Sequence, residues 1–430
     1  MKRILKPLAL LTIGATLLFT ACNLFQKKPE LEVEFTIELS ADYIITSLAK
    51  DKNHPLLTKV IALANEAKND QEESFINLFG KAFEMVNPDQ MLAEMFNINR
   101  LSETSNSLSG QETLEALQKE LDLKVEQTKS VLQKRINQFG LRNQRVVQIG
   151  NTERILIEIP RVDNLERFKE FIQTRAMLAF WETYDNREVF DYLEQANEEI
   201  RNVLTKREII IQGKPFMPTD YIIDTTSAKE SNWVNKYPLF AVLKPRINQE
   251  GLLLPGPCIG NVKDRDTSTV YNLLSLPEVK NILPKNLKFS WTIMPASWDT
   301  SNSIYDLIAI KATTLDSSPP LDGTFITRAY TETDLQGDAY ITITKNAEGA
   351  RIWQRLTADN IGRAIAITLD NRVYSYPQVN AEIQGGRSSI SGDFTKQQAQ
   401  DLAKLLQAGA FPTPVSIIDY KVKNDSLDEN

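Results

Sequence analysis

The sequence predicts an α+β fold: a base of two ferredoxin-like (βαββαβ) halves, an α+β head domain inserted between them, and a helical insertion after the first strand. Three observations predict it. The order strand, helix, strand, strand, helix, strand can be read near both ends of the 430-residue chain. The two runs share local form, "FKEFIQTRAMLAF" against "LAKLLQAGAFPTPVSII". Between them, residues 184–325 change character, opening with an acidic helix and continuing in segments broken by Pro and Gly.

The first half is expected over 31–183. "LEVEFTIEL" (31–39) alternates, so Leu31, Val33, Phe35, Ile37 and Leu39 share one buried face. About 41–121 reads as a helical insertion, with apolar spacing in "LLTKVIALANEA" and "SFINLFGKAFEMV" and a polar loop at 102–113. In "KVEQTKSVLQKRINQFG" Val125, Leu132, Ile136 and Phe139 line one face, and Gly140 follows where a helix ends in positive φ. "RVVQI" and "RILIEI" are strands around "GNTE". Asn164 caps a helix, and "AMLAFWE" is the expected closing strand. The head, 184–325, contains Trp233, Trp291 and Trp298.

The second half is expected over 326–420. "DAYITIT" is a strand, and Asn346 caps the next helix. "RAIAITL" and "RVYSYP" pair across the tight turn Asp370-Asn371. "VNAEI" and "SSISG" read as short strands. Thr395 and Gln398 form a capping box, Gly409 ends that helix, and "PVSIIDY" is the last strand. The polar tail, 421–430, is expected to be disordered.

The N-terminus carries Lys2, Arg3 and Lys6, a short apolar core from Leu8 to Leu18, and the small pair Thr20-Ala21 before Cys22. That is an export signal, too short for an ordinary membrane span. The cysteine after the small pair resembles the lipobox of bacterial lipoproteins. The resemblance implies a signal peptide at 1–21, lipid attachment at Cys22, a tether at 22–30 and a place in the bacterial envelope facing the periplasm. The alternatives are a secreted protein with an incidental cysteine, or an uncleaved anchor. Removing the three cations takes the formal charge from -7 to -10. No Lys/Arg block marks a nucleic-acid partner. Cys258 is the other cysteine; with Cys22 lipidated it has no disulfide partner and reads as a buried thiol.

Little points to catalysis. His54 is the one histidine, in a polar helix-breaking segment, and no CxxC pair occurs, so no catalytic residue, metal site or cofactor is expected. Among 56 carboxylates no spacing singles out a catalytic pair. Gly385-Gly386-Arg387 could suggest a phosphate loop. Such a loop should open a helix, yet a strand follows and the helix waits until Thr395, so a turn with an exposed or carboxylate-paired Arg387 is the better reading.

"VLQKRINQFGLRNQRVVQIGNTERILIEIPRV" (131–162) and the stretch from 341 to 418 resemble the first periplasmic domain of the SecD/SecDF family of protein-export subunits. The elements R-[IV]-N-x-[FL]-G, I-G-x-x-[IL]-A-[IV]-x-L-D, I-x-G-G and L-x-x-G-x-[FL]-P come in family order. The match covers about half the mature chain. It implies a base with a mobile head that contacts polypeptides leaving the Sec translocon, in a complex that uses the proton gradient. The partners implied are unfolded exported polypeptides, SecY, or SecD/SecF-type subunits. Trp233, Trp291 and Trp298 are candidates to hold such chains, against ordinary core packing. The family's first membrane helix is replaced by the lipoprotein signal, the Asp-Leu-x-Gly-Gly element is missing, and the sequence stops where later membrane helices would begin. A non-enzymatic role without proton coupling of its own is therefore expected; the alternative is an assembly lipoprotein that binds another envelope protein through the same base.

Overall fold

The computed structural model describes residues 32–68, 73–86, 92–97, 108–206, 209–211, 214–216, 233–234, 236–314, 318–392 and 395–423. Cys22, the signal segment and the tether lie outside them, as does most of the tail. The chain divides into two compact units: residues 1–173 with 412–430, and residues 174–411.

The first unit is built on β1 (Val33–Leu39), whose residues alternate between buried and half-buried as the sequence pattern requires. Three helices follow: α1 (Ala41–Leu48), α2 (Pro55–Ala67) and α3 (Phe75–Val86). His54 is the exposed cap of α2; its Nδ1 accepts the Leu56 N–H at 3.3 Å. The long helix α4 (Gly110–Phe139) starts inside the expected polar loop. A capping box between Ser109 and Glu112 begins it, and Gly140 at φ 104° ends it. Then come β2 (Arg145–Gln148), β3 (Arg154–Ile159) and α5 (Leu165–Gln173).

The signature "RINQFG" is explained here. Arg135 is fully buried and donates from Nη1 to the Phe171 carbonyl at 3.2 Å, at the end of α5. The Phe139 ring meets Phe168 at 5.0 Å and Phe171 at 5.4 Å.

The strand that completes this antiparallel sheet is the C-terminal one, Val415–Val422, and the order is C-terminal strand, β1, β3, β2. The expected closing strand, "AMLAFWE", lies in the second unit instead, as β4 (Leu178–Thr183). Burial is the reason. Leu178 and Phe180 enter one core, and Ala179 and Trp181 enter another, so β4 needs cover on both faces. The C-terminal strand is mostly exposed, which suits an edge.

The second unit continues with α6 (Asn186–Lys206), α7 (Pro238–Val242), β5 (Lys244–Pro245), β6 (Cys258–Lys263), α8 (Thr267–Leu274) and α9 (Pro277–Lys280). Next are β7 (Leu287–Trp291), β8 (Ile304–Lys311), β9 (Leu321–Asp322), β10 (Ile326–Thr333) and β11 (Ala339–Lys345). It ends with α10 (Ala347–Asp359), β12 (Ile365–Leu369), β13 (Arg372–Ser375), β14 (Arg387–Ile390) and α11 (Lys396–Ala408). The main sheet runs β13-β12-β4-β8-β6-β5, with β9 on β4 and β7 on β8. A smaller sheet has the order β10-β11-β14.

The expected second βαββαβ sheet is thus divided. β11 pairs with β10 and β14, while β12 pairs with β4 and β13. Every residue of β12 is buried, and its alternate residues supply the same two cores as β4. The expected head, 184–325, and the start of the expected second half fall within this one unit. The architecture is a mixed α/β fold with several antiparallel sheets.

Candidate functional site

In the second unit a groove of about 750 Å³ with largely apolar walls lies beside β7. One wall is α8, which buries Val270, Leu273 and Leu274 and leaves Tyr271 65% exposed. Pro277 starts the short α9, and the chain then returns through Leu283-Pro284-Lys285 to β7. The floor includes Trp181, Leu307 and Ile310.

The titratable groups along the groove are Tyr271 and cations: Lys280, Lys285, Lys288 and Arg372. Among the described residues no carboxylate lines it. The Lys288 ammonium lies 4.8 Å from the Trp181 ring centroid. Arg372 donates from Nη2 to the Thr292 carbonyl at 2.8 Å and lies over the Tyr305 ring.

Of the three tryptophans expected to bind chain, Trp291 lines this groove, half-buried, while Trp233 (48% exposed) and Trp298 (53% exposed) do not. Trp233 rests against Tyr237 at 5.8 Å. The segment "PKNLKFSW" (284–291) carried a signal that was passed over: Leu287, Phe289 and Trp291 alternate, with Lys285 before them and Lys288 between.

Gly385 and Gly386 (φ 79° and 70°) form a turn that leads into β14. "VNAEI" is not a strand, so this is the entry to β14 and not the bend of a hairpin; β14 pairs with β11. The Gly386 carbonyl accepts the Lys345 N–H at 3.1 Å, and a Cβ at Gly386 would stand 2.8 Å from Ala350 Cβ on α10. The glycine is needed for close approach to a helix. Arg387 donates to Glu332 at 2.8 Å, and the Thr342 hydroxyl and then Arg387 hold that carboxyl below its ordinary range.

A second, smaller cavity of about 300 Å³ opens over Cys258. Burial pushes this thiol up to about 12, which keeps it protonated and unreactive at neutral pH. Nearby, buried Asp306 accepts from Tyr376 Oη at 2.8 Å and from Asn261 Nδ2 at 2.5 Å. Among the described residues, no group of three or more His, Cys, Asp and Glu could hold a metal ion, and no helix is long and apolar enough to cross a membrane.

Two family descriptions match the sequence: "SecDF, P1 head subdomain" over residues 303–413, and "Protein translocase subunit SecDF, P1 domain, N-terminal" over residues 125–185. Protein translocase subunit SecD of Rhodothermus marinus is 32% identical over 417 residues, covering 92% of this chain and 61% of the relative. SecD of Desulfurispirillum indicum is 26% identical over 309 residues, covering 72% and 42%, and SecD of Syntrophobacter fumaroxidans is 40% identical over 108 residues, covering 25% and 20%. The chain therefore spans less than two thirds of the length of each of these relatives. A solved structure of a SecDF described as a membrane component that enhances protein export aligns with TM-score 0.37 and 22% identity, covering 70% of this chain and 92% of that one.

Proposed function

The chain carries the first periplasmic domain of the SecD type, and on that premise we propose that it assists protein export by holding polypeptide segments as they leave the translocon, with no enzymatic step of its own. One observation carries this reading. The groove beside β7 offers about 750 Å³ of open space, apolar walls and an aromatic rim in Tyr271 and Trp291. A surface built to hold unfolded chain needs apolar area that water can reach while empty. A flat polar surface would instead have favoured the assembly reading.

Two finer features belong to the same proposal. The first unit is a ferredoxin-like half, with the C-terminal strand taking the place of the fourth strand beside β1. Cys22 is the lipid attachment point that holds the chain at the membrane, in reach of SecY or SecD/SecF-type partners.

In-cell crosslinking tests it. Photoreactive residues are placed at Tyr271, in the groove, and at Trp233, Trp298 and Arg387, outside it. Captured partners are identified by mass spectrometry. Many different exported proteins from position 271, and few from position 387, is the expected result. One recurring envelope protein from every position, with no exported chains, would overturn it in favour of the assembly lipoprotein.

A further inference from the structure

Successive side chains of a strand point to opposite faces. A groove lying on one face of β7 would be lined by alternate residues only. All five residues from Leu287 to Trp291 line it, so the groove runs along the edge of the strand.

Backbone directions agree. The Asn286 carbonyl accepts from the Ala312 N–H at 2.8 Å, and the Thr292 N–H donates to Asp306 at 3.0 Å, so even-numbered residues turn toward β8. The Leu287 and Ile293 N–H groups turn the other way, to the carbonyls of Pro284 and Val373. Between these two closures, the Phe289 N–H and carbonyl and the Trp291 N–H face the groove, while the bridge to Val373 takes up the Trp291 carbonyl. Among the described residues a single parallel bridge, Thr292 with Val373 of β13, closes the far end of that edge, and no strand pairs with it between Leu287 and the Trp291 N–H. An unpaired edge beside an apolar groove is a template for an added strand.

Charge selects what is added. Among the described residues, Lys280 and Lys285 are exposed at the rim with no ion pair, Lys288 is exposed beside them, and no carboxylate lines the groove. The chain as a whole is acidic, at -7, so this cationic rim is a local exception.

We infer that the groove takes extended polypeptide segments that pair with the free edge of β7 and that combine apolar side chains with carboxylates. This rests on the chain-holding reading above and narrows it: segments rich in Asp or Glu beside apolar residues are taken, and Lys/Arg-rich segments are refused.

The test uses fluorescein-labelled synthetic peptides of equal length and the purified chain. One peptide alternates valine and glutamate, a second has lysine for glutamate, and a third is the acidic peptide N-methylated at every amide. Fluorescence anisotropy should show the acidic peptide binding at least ~10-fold tighter than the basic one, with the preference shrinking as salt is raised. The N-methylated peptide should lose binding, because neither of its edges can donate. The double variant Lys280→Glu, Lys285→Glu should reverse the preference; Lys280→Gln, Lys285→Gln should abolish it while circular dichroism stays unchanged. Equal binding of acidic and basic peptides, or of the methylated peptide, would overturn this inference and leave general chain capture standing. Binding of neither the peptides nor an unfolded exported protein would overturn both. Concentration-dependent self-association that blocks the peptides would assign the edge to a second copy of this chain.

Discussion

Lys345 is 5% exposed, at the end of β11, with its ammonium 4.5 Å from the Trp353 ring centroid and 5.4 Å from that of Phe180. Among the described residues its ammonium donates to the Ser388 hydroxyl. Burial lowers it to about 7. The folded value lies below the unfolded one, so between about 7 and the ordinary lysine range the unfolded chain binds more protons. Stability therefore rises as pH climbs through that window, and the cost of burying the charge is felt in full below about 7. Lys345→Met should stabilise the protein at pH 6.5 by ~2 kcal/mol or more and flatten that slope. Urea unfolding of both proteins at pH 6.5, 8 and 9.5 checks it; equal slopes would show that the amine does not titrate there. The glycine pair gives a second contrast. Gly385→Ala meets only its positive φ, with nothing within 4 Å, whereas Gly386→Ala also meets Ala350 at 2.8 Å. The first should cost ~1 kcal/mol and the second ~1–2 kcal/mol more, read from urea midpoints.

Elements with a local cause were legible in the sequence. The capping box at Thr395/Gln398 and the cap at Asn346 mark helix starts through side chains that bond their own backbone, and both are present. The tight turn at Asp370-Asn371 was legible too, and both residues have positive φ, 52° and 65°. What the sequence could not reveal was partnership between distant strands. "AMLAFWE" and "PVSIIDY" both read as strands, but which sheet each enters depends on how many of its faces the rest of the chain can cover. The groove was missed for the same reason: Trp291 was visible as a candidate, while the open edge of β7 exists only once β8 has taken the other side. Asp370 ties these scales together. Its carboxylate accepts the N–H groups of Ala176 and Met177 at 3.1 and 2.8 Å, and this fixes the start of β4 against the β12–β13 turn. Asp370→Ala should destabilise the protein by ~2 kcal/mol, whereas Asn371→Gly, which keeps the turn, should be close to neutral by the same unfolding measurement.

At the scale of the whole molecule, the first unit is made from both ends of the chain, and the second is one continuous segment, 174–411. The two should therefore respond differently to being cut out. β1 is the centre of the first unit's sheet, with Phe35 and Ile37 fully buried, and its register with the C-terminal strand runs from Val33 opposite Val422 to Leu39 opposite Val415. Tyr420 stacks on Phe35 at 6.2 Å, and the Lys169 ammonium lies 3.6 Å from the Tyr420 ring centroid. Without residues 412–423, one edge of β1 loses its hydrogen-bond partners, and Phe35 loses the ring that covers it. A fragment of residues 32–173 should exchange its β1 amides rapidly and aggregate, and a synthetic peptide of residues 412–423 added in trans should restore protection. The fragment 174–411 should unfold cooperatively by itself, because its cores are drawn from residues within it. Hydrogen exchange of both fragments decides the matter: protection in β1 of the isolated 32–173 fragment, unchanged by the peptide, would mean that the C-terminal strand is an ornament on a sheet that is already stable.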